Sequence, residues 1–150
     1  ALTTEGEESG ELLRHLLNGL YAIENFRRPP ELLRAAFELR AMSLAGYEPL
    51  LEGCAFCGKA EPEEPVLDLG SGGLRCRRCG SGGAGMPLDA DALAAARHVL
   101  YGDPKRLYGF TLGEESLRRL SAAAEAFTLA QLERGFRTLD YYKSLRGMEG

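Results

Sequence analysis

Cys54-Ala55-Phe56-Cys57 and Cys76-Arg77-Arg78-Cys79 are two C-x-x-C pairs separated by the 18 residues 58–75. A tight turn brings the two sulfurs of such a pair to one point. Two knuckles of this kind complete a tetrahedron of thiolates around zinc, with Zn–S near ~2.3 Å. Gly58 and Gly80 directly follow the second cysteine of each pair, where a knuckle calls for an unhindered backbone. Cys54, Cys57, Cys76 and Cys79 are therefore expected to bind one Zn2+. Four thiolates leave no position open for water or substrate, so the metal is expected to be structural. Arg75, Arg77 and Arg78 lie beside the cysteines. They would offset the negative charge of a four-thiolate site; the sharper alternative has them touching DNA or a partner. A redox role for the pairs is a rival reading, because C-x-x-C can lower a thiol pKa. Nothing beside either pair reads as the strand-helix setting of a thioredoxin-like motif.

Working outward, the helical period is lost between about 52 and 85, a stretch with nine glycines. A short hairpin is expected there, Val66-Leu67-Asp68-Leu69 returning as Leu74-Arg75-Cys76 around Gly70-Ser71-Gly72-Gly73. So long an irregular segment inside a compact domain needs a pin, and the cysteines supply it. On the N-terminal side, Leu12, Leu13, Leu16, Leu17 and Leu20 form one apolar stripe and predict a helix over about 11–25. Arg27, Arg28, Pro29 and Pro30 end it. A second helix, about 31–45, follows with Leu33, Phe37 and Leu44 on its buried side and Gly46 as a left-handed cap. On the C-terminal side Asp89 caps a third helix through Leu93, Ala96, Val99 and Leu100. Gly102, Asp103 and Pro104 break it. A last helical region covers about 114–145, with Gly135 expected to kink or interrupt it. The predicted fold is mainly α, one domain over 1–150: a helical bundle with a small four-cysteine zinc insertion at about 52–85.

Composition narrows the function classes. A chain of 150 residues, 45% hydrophobic and 27% charged, suits one soluble domain. No run approaches the ~20 apolar residues of a membrane span. Residues 1–10 have neither the basic flank nor the apolar run of a secretory signal, so a cytoplasmic location is expected, where cysteines stay reduced. A net charge of -4 argues against a basic nucleic-acid surface covering the chain. The charge is uneven, however. Residues 1–25 carry five acids against Arg14, whereas 97–146 carry nine Lys or Arg against six acids. No catalytic constellation appears. His15 and His98 sit on predicted helices as packing or surface residues, and Glu63-Glu64 and Glu114-Glu115 read as solvated carboxylates. Catalysis is not expected.

The order of features is similar to a known family. Phe37-Glu38-Leu39-Arg40 leads into Leu44-Ala45-Gly46-Tyr47-Glu48-Pro49-Leu50-Leu51 and then Cys54-Ala55-Phe56-Cys57-Gly58. Gly72-Gly73-Leu74-Arg75-Cys76-Arg77-Arg78-Cys79, Arg137-Thr138-Leu139 and Lys143-Ser144-Leu145 follow. This resembles the C-terminal part of the bacterial recombination mediator RecO. The resemblance implies a role in recombinational DNA repair: binding and annealing DNA, pairing with RecR, engaging the acidic C-terminal tail of the single-stranded-DNA-binding protein, and loading the recombinase. It carries zinc ligation onto Cys54, Cys57, Cys76 and Cys79. The family's N-terminal OB-fold barrel, its main platform for single- and double-stranded DNA, is not expected in this chain. The partner-binding helical half is. An acidic tail ending in an apolar residue needs an apolar groove with a basic rim, for which Arg27, Arg28, Arg34 and Arg40, or Arg118 and Arg119, are the candidates. A zinc-containing redox switch or chaperone-like protein is the alternative from another class, and a zinc-ribbon DNA reader a third.

Overall fold

The computed structural model describes the backbone of residues 2–80 and 85–149, and side chains over 10–80 and 85–146. Residues 81–84 of the Gly-Ser stretch lie outside it. The elements run α1 (Leu2–Asn25), α2 (Pro30–Leu44), β1 (Leu50–Cys54), β2 (Val66–Asp68), β3 (Gly73–Arg75), β4 (Gly85–Pro87), α3 (Ala90–Tyr101), a 3-10 turn (Pro104–Arg106) and α4 (Glu114–Glu149). The mainly helical class with an embedded cysteine-bearing hairpin is borne out.

The middle of the bundle is α2. Pro30 occupies its first turn, where a missing N–H does no harm. It ends in a Schellman motif: the Tyr47 N–H reaches the Met42 carbonyl at 2.8 Å and the Gly46 N–H reaches Ser43 at 3.1 Å, with Gly46 at φ +95°. Leu32, Leu33, Ala35, Ala36 and Leu39 are buried against Leu93, Val99 and Leu100 of α3 and Leu117, Leu120 and Phe127 of α4 within one core. Asp89 caps α3 as expected, its Oδ1 accepting from the Ala92 N–H at 2.8 Å. Its Oδ2 accepts from the Ser116 hydroxyl at 2.8 Å, so one carboxylate ties the starts of α3 and α4 together.

Three expectations change. First, α1 starts at Leu2 rather than near residue 11; residues 2–10 contain no proline to stop a helix from running on toward the N-terminus. Second, its leucines do not form the buried face. His15, Gly19 and Ala22 are buried, whereas Leu13, Leu16, Leu17 and Leu20 are exposed. The reason is steric: a Cβ on Gly19 would come within 2.5 Å of Phe37, so α1 approaches α2 through its smallest residue. Third, α4 runs through Gly135 without a break. A glycine weakens a helix interior by only about 1 kcal/mol, which the flanking turns absorb. Beyond Gln131 this helix stands clear of the core, with Leu132, Phe136, Leu139, Tyr142 and Leu145 exposed.

The sheet is larger than the predicted hairpin. β2 and β3 pair antiparallel with Val66 opposite Arg75 and Leu67 opposite Leu74, as the pattern implied. β1 and β4 extend it to the order β1-β3-β2-β4, with β1 parallel to β3 and β4 antiparallel to β2. The turn passes through Gly72 at φ +77°, with the Phe127 ring lying 3.4 Å from where a Cβ would sit. Phe127 is 1% exposed and joins α4 to the hairpin. Phe127→Ala is expected to destabilise the folded chain by about 3–5 kcal/mol in urea unfolding. A loss under ~1 kcal/mol would mean that this ring does not connect core and sheet.

Candidate metal centre

Cys54 is the last residue of β1, and Cys76 follows β3 directly. Because β1 and β3 are parallel, both strands run out at the same end of the sheet, and each turns into its knuckle there. The Ala55 N–H reaches the Leu74 carbonyl at 2.8 Å, and the Cys76 N–H points to Cys54 Sγ at 3.4 Å. Within the knuckles the Gly58 N–H closes on the Cys54 carbonyl at 2.9 Å and the Cys79 N–H on Cys76 at 3.1 Å. Gly58 has φ +76°, a left-handed conformation that favours glycine at that position.

The four sulfurs lie within 4.8 Å of one another. Cys57 Sγ and Cys76 Sγ are 3.7 Å apart; a tetrahedron with metal–sulfur bonds of ~2.3 Å has edges of about 3.8 Å. All four thiols are free. The set can hold one metal ion, and its all-thiolate chemistry suits zinc. Backbone N–H groups of Cys57 and, more weakly, Phe56 and Cys76 stabilise the Cys54 thiolate and bring its pKa down to about 6. The Cys79 amide likewise lowers Cys76. Cys79 is the converse: its neighbour Cys76, with burial and the other sulfurs, pushes it up to about 12. Two sulfurs thus shed protons readily while the last resists crowding by negative charge, a conflict that a dication among them removes.

The surroundings are charged but mostly solvated. Arg77 lies 3.5 Å from Glu64, and Lys59 lies 3.8 Å from Glu63, all four being exposed. The Arg77 N–H also reaches the Glu63 carbonyl at 3.0 Å, fixing the second knuckle to the loop before β2. Lys59, Arg77 and Arg78 line the space beside the sulfurs. Arg75 is buried within β3 and acts on Asp68, whose carboxyl is held below its usual range chiefly by the Ser71 hydroxyl.

Three residues that the sequence did not single out hold this unit to the bundle. Arg97 of α3 donates from Nε to the Leu51 carbonyl at 2.8 Å and from its two terminal nitrogens to Glu61 at 2.6 Å and to the Ala60 carbonyl at 2.7 Å. The Tyr101 hydroxyl accepts from the Leu51 N–H at 3.1 Å. From the other side Arg134 of α4 donates to the Gly70 carbonyl at the hairpin turn. None carries a sequence signal, because each is one polar residue on an otherwise periodic helix.

The arginines expected to rim a groove divide. Arg34 is committed to Glu38, Glu125 and Ser121, and Arg118 and Arg119 to Glu115. Arg28 donates to the Phe110 carbonyl and Arg40 to the Leu100 carbonyl, while Arg27 is exposed. His15 stacks on Phe37 and donates from Nε2 to the Phe37 carbonyl at 2.9 Å; His98 Nε2 donates to the Arg106 carbonyl at 2.7 Å. His15 is buried and His98 half-buried, and Glu63, Glu64, Glu114 and Glu115 are exposed.

Comparison with known proteins agrees with the order of these features. The family described as Recombination protein O C terminal matches residues 1–140. The chain belongs to this RecO C-terminal family. It is 32% identical over 139 residues to the DNA repair protein RecO of Symbiobacterium thermophilum, covering 87% of this chain and 53% of that one. The RecO protein of Frankia casuarinae is 33% identical over 142 residues, 93% of this chain and 56% of the relative. That of Acetivibrio thermocellus is 25% identical over 142 residues, 94% and 57% respectively. The chain therefore spans about half the length of the curated relatives it matches. Among the described residues, no helix is long and apolar enough to cross a membrane.

Arg97→Ala should loosen the knuckles without touching a sulfur. The expected loss is about 2–3 kcal/mol in urea unfolding, together with faster zinc release to a chromogenic chelator. Unchanged stability and release would show that the Leu51, Ala60 and Glu61 contacts do not hold the metal centre.

Proposed function

We propose that this chain is the helical, partner-binding half of a RecO recombination mediator, built around one structural zinc held by Cys54, Cys57, Cys76 and Cys79. The observation that carries this reading is the match of the RecO C-terminal family over residues 1–140. The closed four-sulfur cluster supports the structural role: zinc there supplies cross-linking and charge neutralisation, and a four-thiolate shell has no place for substrate. The protein catalyses no covalent reaction on this reading. It works by binding, and its partners are RecR, the acidic tail of the single-stranded-DNA-binding protein, and DNA, in the cytoplasm.

Two exposed apolar faces support a partner-binding role. One is the α1 stripe of Leu13, Leu16, Leu17 and Leu20; the other is the free end of α4 with Leu132, Phe136 and Leu139. Apolar stripes of this extent are unusual on a monomer surface and mark interaction sites. Exposed Arg27 follows the α1 stripe, with Arg28 beside it, and we assign this end to the acidic tail. Arg34, Arg118 and Arg119 are the weaker candidates, since acids already engage them. The redox-switch alternative is not favoured: Cys54 and Cys76 are buried, and the family match gives it no support.

Metal analysis of the reduced chain is expected to find close to one zinc per chain. Fluorescence anisotropy with a labelled acidic-tail peptide should show micromolar binding that weakens with salt. Arg27→Glu with Arg28→Glu should weaken it about tenfold or more while leaving the zinc in place. Failure of both the peptide and RecR to bind the zinc-loaded chain would overturn the partner-binding reading; four reactive thiols and no metal would overturn the zinc.

A further inference from the structure

The helix α1 has a second face. Glu11, Arg14, His15, Asn18 and Tyr21 follow the helical spacing and line a cleft of about 300 Å³, closed on its other sides by Phe26, Arg40, Lys105 and Tyr108 among others. This face is turned away from the exposed leucine stripe. Its chemistry is mixed in an ordered way. Arg14 and Lys105 are exposed at the mouth with the half-buried Arg40, against the single acid Glu11 among the lining residues. Tyr21 and Phe26 make an edge-to-face pair with ring centres 6.0 Å apart, and Phe26 meets Tyr108 in the same way at 6.1 Å. Both Tyr21 and Phe26 are exposed.

Deeper in, Tyr108 is 7% exposed and its hydroxyl has no hydrogen-bond partner among the described residues. It lies beneath α1, 3.5 Å from where a Cβ on Gly19 would stand. A buried donor left without an acceptor is costly, so this hydroxyl calls for a ligand. His15 is also buried and lines the same cleft, and its Nε2 faces the Phe37 carbonyl. A carbonyl only accepts, so Nε2 carries the proton, and burial lowers the pKa and keeps the ring neutral near pH 7. The remaining Nδ1 is then an acceptor. The lining offers the Tyr108 O–H as donor, His15 Nδ1 as acceptor and the Asn18 amide as both. A carboxylate presents acceptors only and matches this set poorly, whereas the edge of a nucleobase presents donors and acceptors side by side.

Resting on the reading of the chain as part of a DNA-repair mediator, we infer that this cleft receives one unstacked base of a single-stranded nucleic acid. The base stacks on one ring of the perpendicular Tyr21–Phe26 pair, with the other ring against its edge, and turns its polar edge toward Tyr108, His15 and Asn18. The flanking phosphates meet Arg14, Lys105 and Arg40. A duplex keeps its bases stacked and paired, so the cleft selects single strands.

The test uses the zinc-loaded 150-residue chain and a thymidine oligonucleotide carrying one central 2-aminopurine. Stacking in the cleft should quench the 2-aminopurine, and replacing that nucleotide by an abasic one should weaken binding about tenfold. Tyr21→Ala with Phe26→Ala should remove the quench. Tyr108→Phe, which deletes only the hydroxyl, and the exposed Arg14→Gln should each weaken binding several-fold, with the circular dichroism spectrum unchanged. Arg137→Gln, on the far end of α4, should leave it unchanged. Equal affinity of the abasic strand, or a quench that survives the aromatic double variant, would overturn the inference. So would displacement of the strand by an acidic-tail peptide that responds to Tyr108→Phe, since the cleft would then be a carboxylate site. If the strand does not bind at all while the acidic-tail peptide does, the cleft inference falls and the mediator reading stands.

Discussion

The parallel pairing of β1 with β3 is the constraint on which the middle of this molecule depends. Two parallel neighbours end on the same side of a sheet, so the chain leaving β1 at Cys54 and the chain leaving β3 toward Cys76 start their knuckles side by side. An antiparallel arrangement of the same strands would send the pairs to opposite ends. Parallel neighbours require a crossover connection, usually covered by a helix. Here the crossover contains the first knuckle, a loop and β2, with no helix over it. Strands of three to five residues supply too few hydrogen bonds to hold such a crossing by themselves. The sulfur cluster, with Arg97 clamping the loop from α3 and α4 holding the hairpin turn, takes the place of the missing helix.

The same arrangement limits what the metal centre can do. Its four sulfurs are gathered within 4.8 Å of one another, and Lys59 and Arg77 beside them are paired with Glu63 and Glu64. Four sulfurs holding one metal ion would set positions and leave no ligand place open for a substrate. What it positions is β1, through whose Leu51 carbonyl and N–H the sheet meets Arg97 and Tyr101 of α3. The exposed apolar stripes lie away from it, on α1 and on the far end of α4.

The parts of this architecture that were legible in the sequence are those set by local rules. The cysteine spacing is a short-range geometric requirement, and the pairing of Val66-Leu67 with Leu74-Arg75 needs only one turn. The Asp89 cap and the Gly46 terminus are written in one residue each. β1 and β4 were not legible, because Leu50–Cys54 carries a glycine and Gly85–Pro87 ends in proline, and both owe their strand conformation to partners remote in sequence. The apolar repeat of α1 announced a helix but not which side would be covered. That was decided by Gly19 and Ala22, small residues whose value is close approach rather than hydrophobic area. Nor could the count of arginines separate Arg34, bound to two acids, from Arg27, which stands in solvent.

Seen along its axis, α1 serves three surfaces at once. Gly19 and Ala22 join it to the core, Leu13, Leu16, Leu17 and Leu20 face outward, and Arg14, Asn18 and Tyr21 open onto the cleft. A helix kept only for stability would turn its leucines inward, where each contributes about 1.5–3 kcal/mol on burial. Here glycine and alanine make the core contact and the leucines are left in solvent, so burial of apolar area does not set the orientation of this helix; close approach to α2 does. The cleft and the leucine stripe are separate sides of one rigid helix, so an apolar protein surface and a polar, aromatic-bounded ligand need not exclude one another.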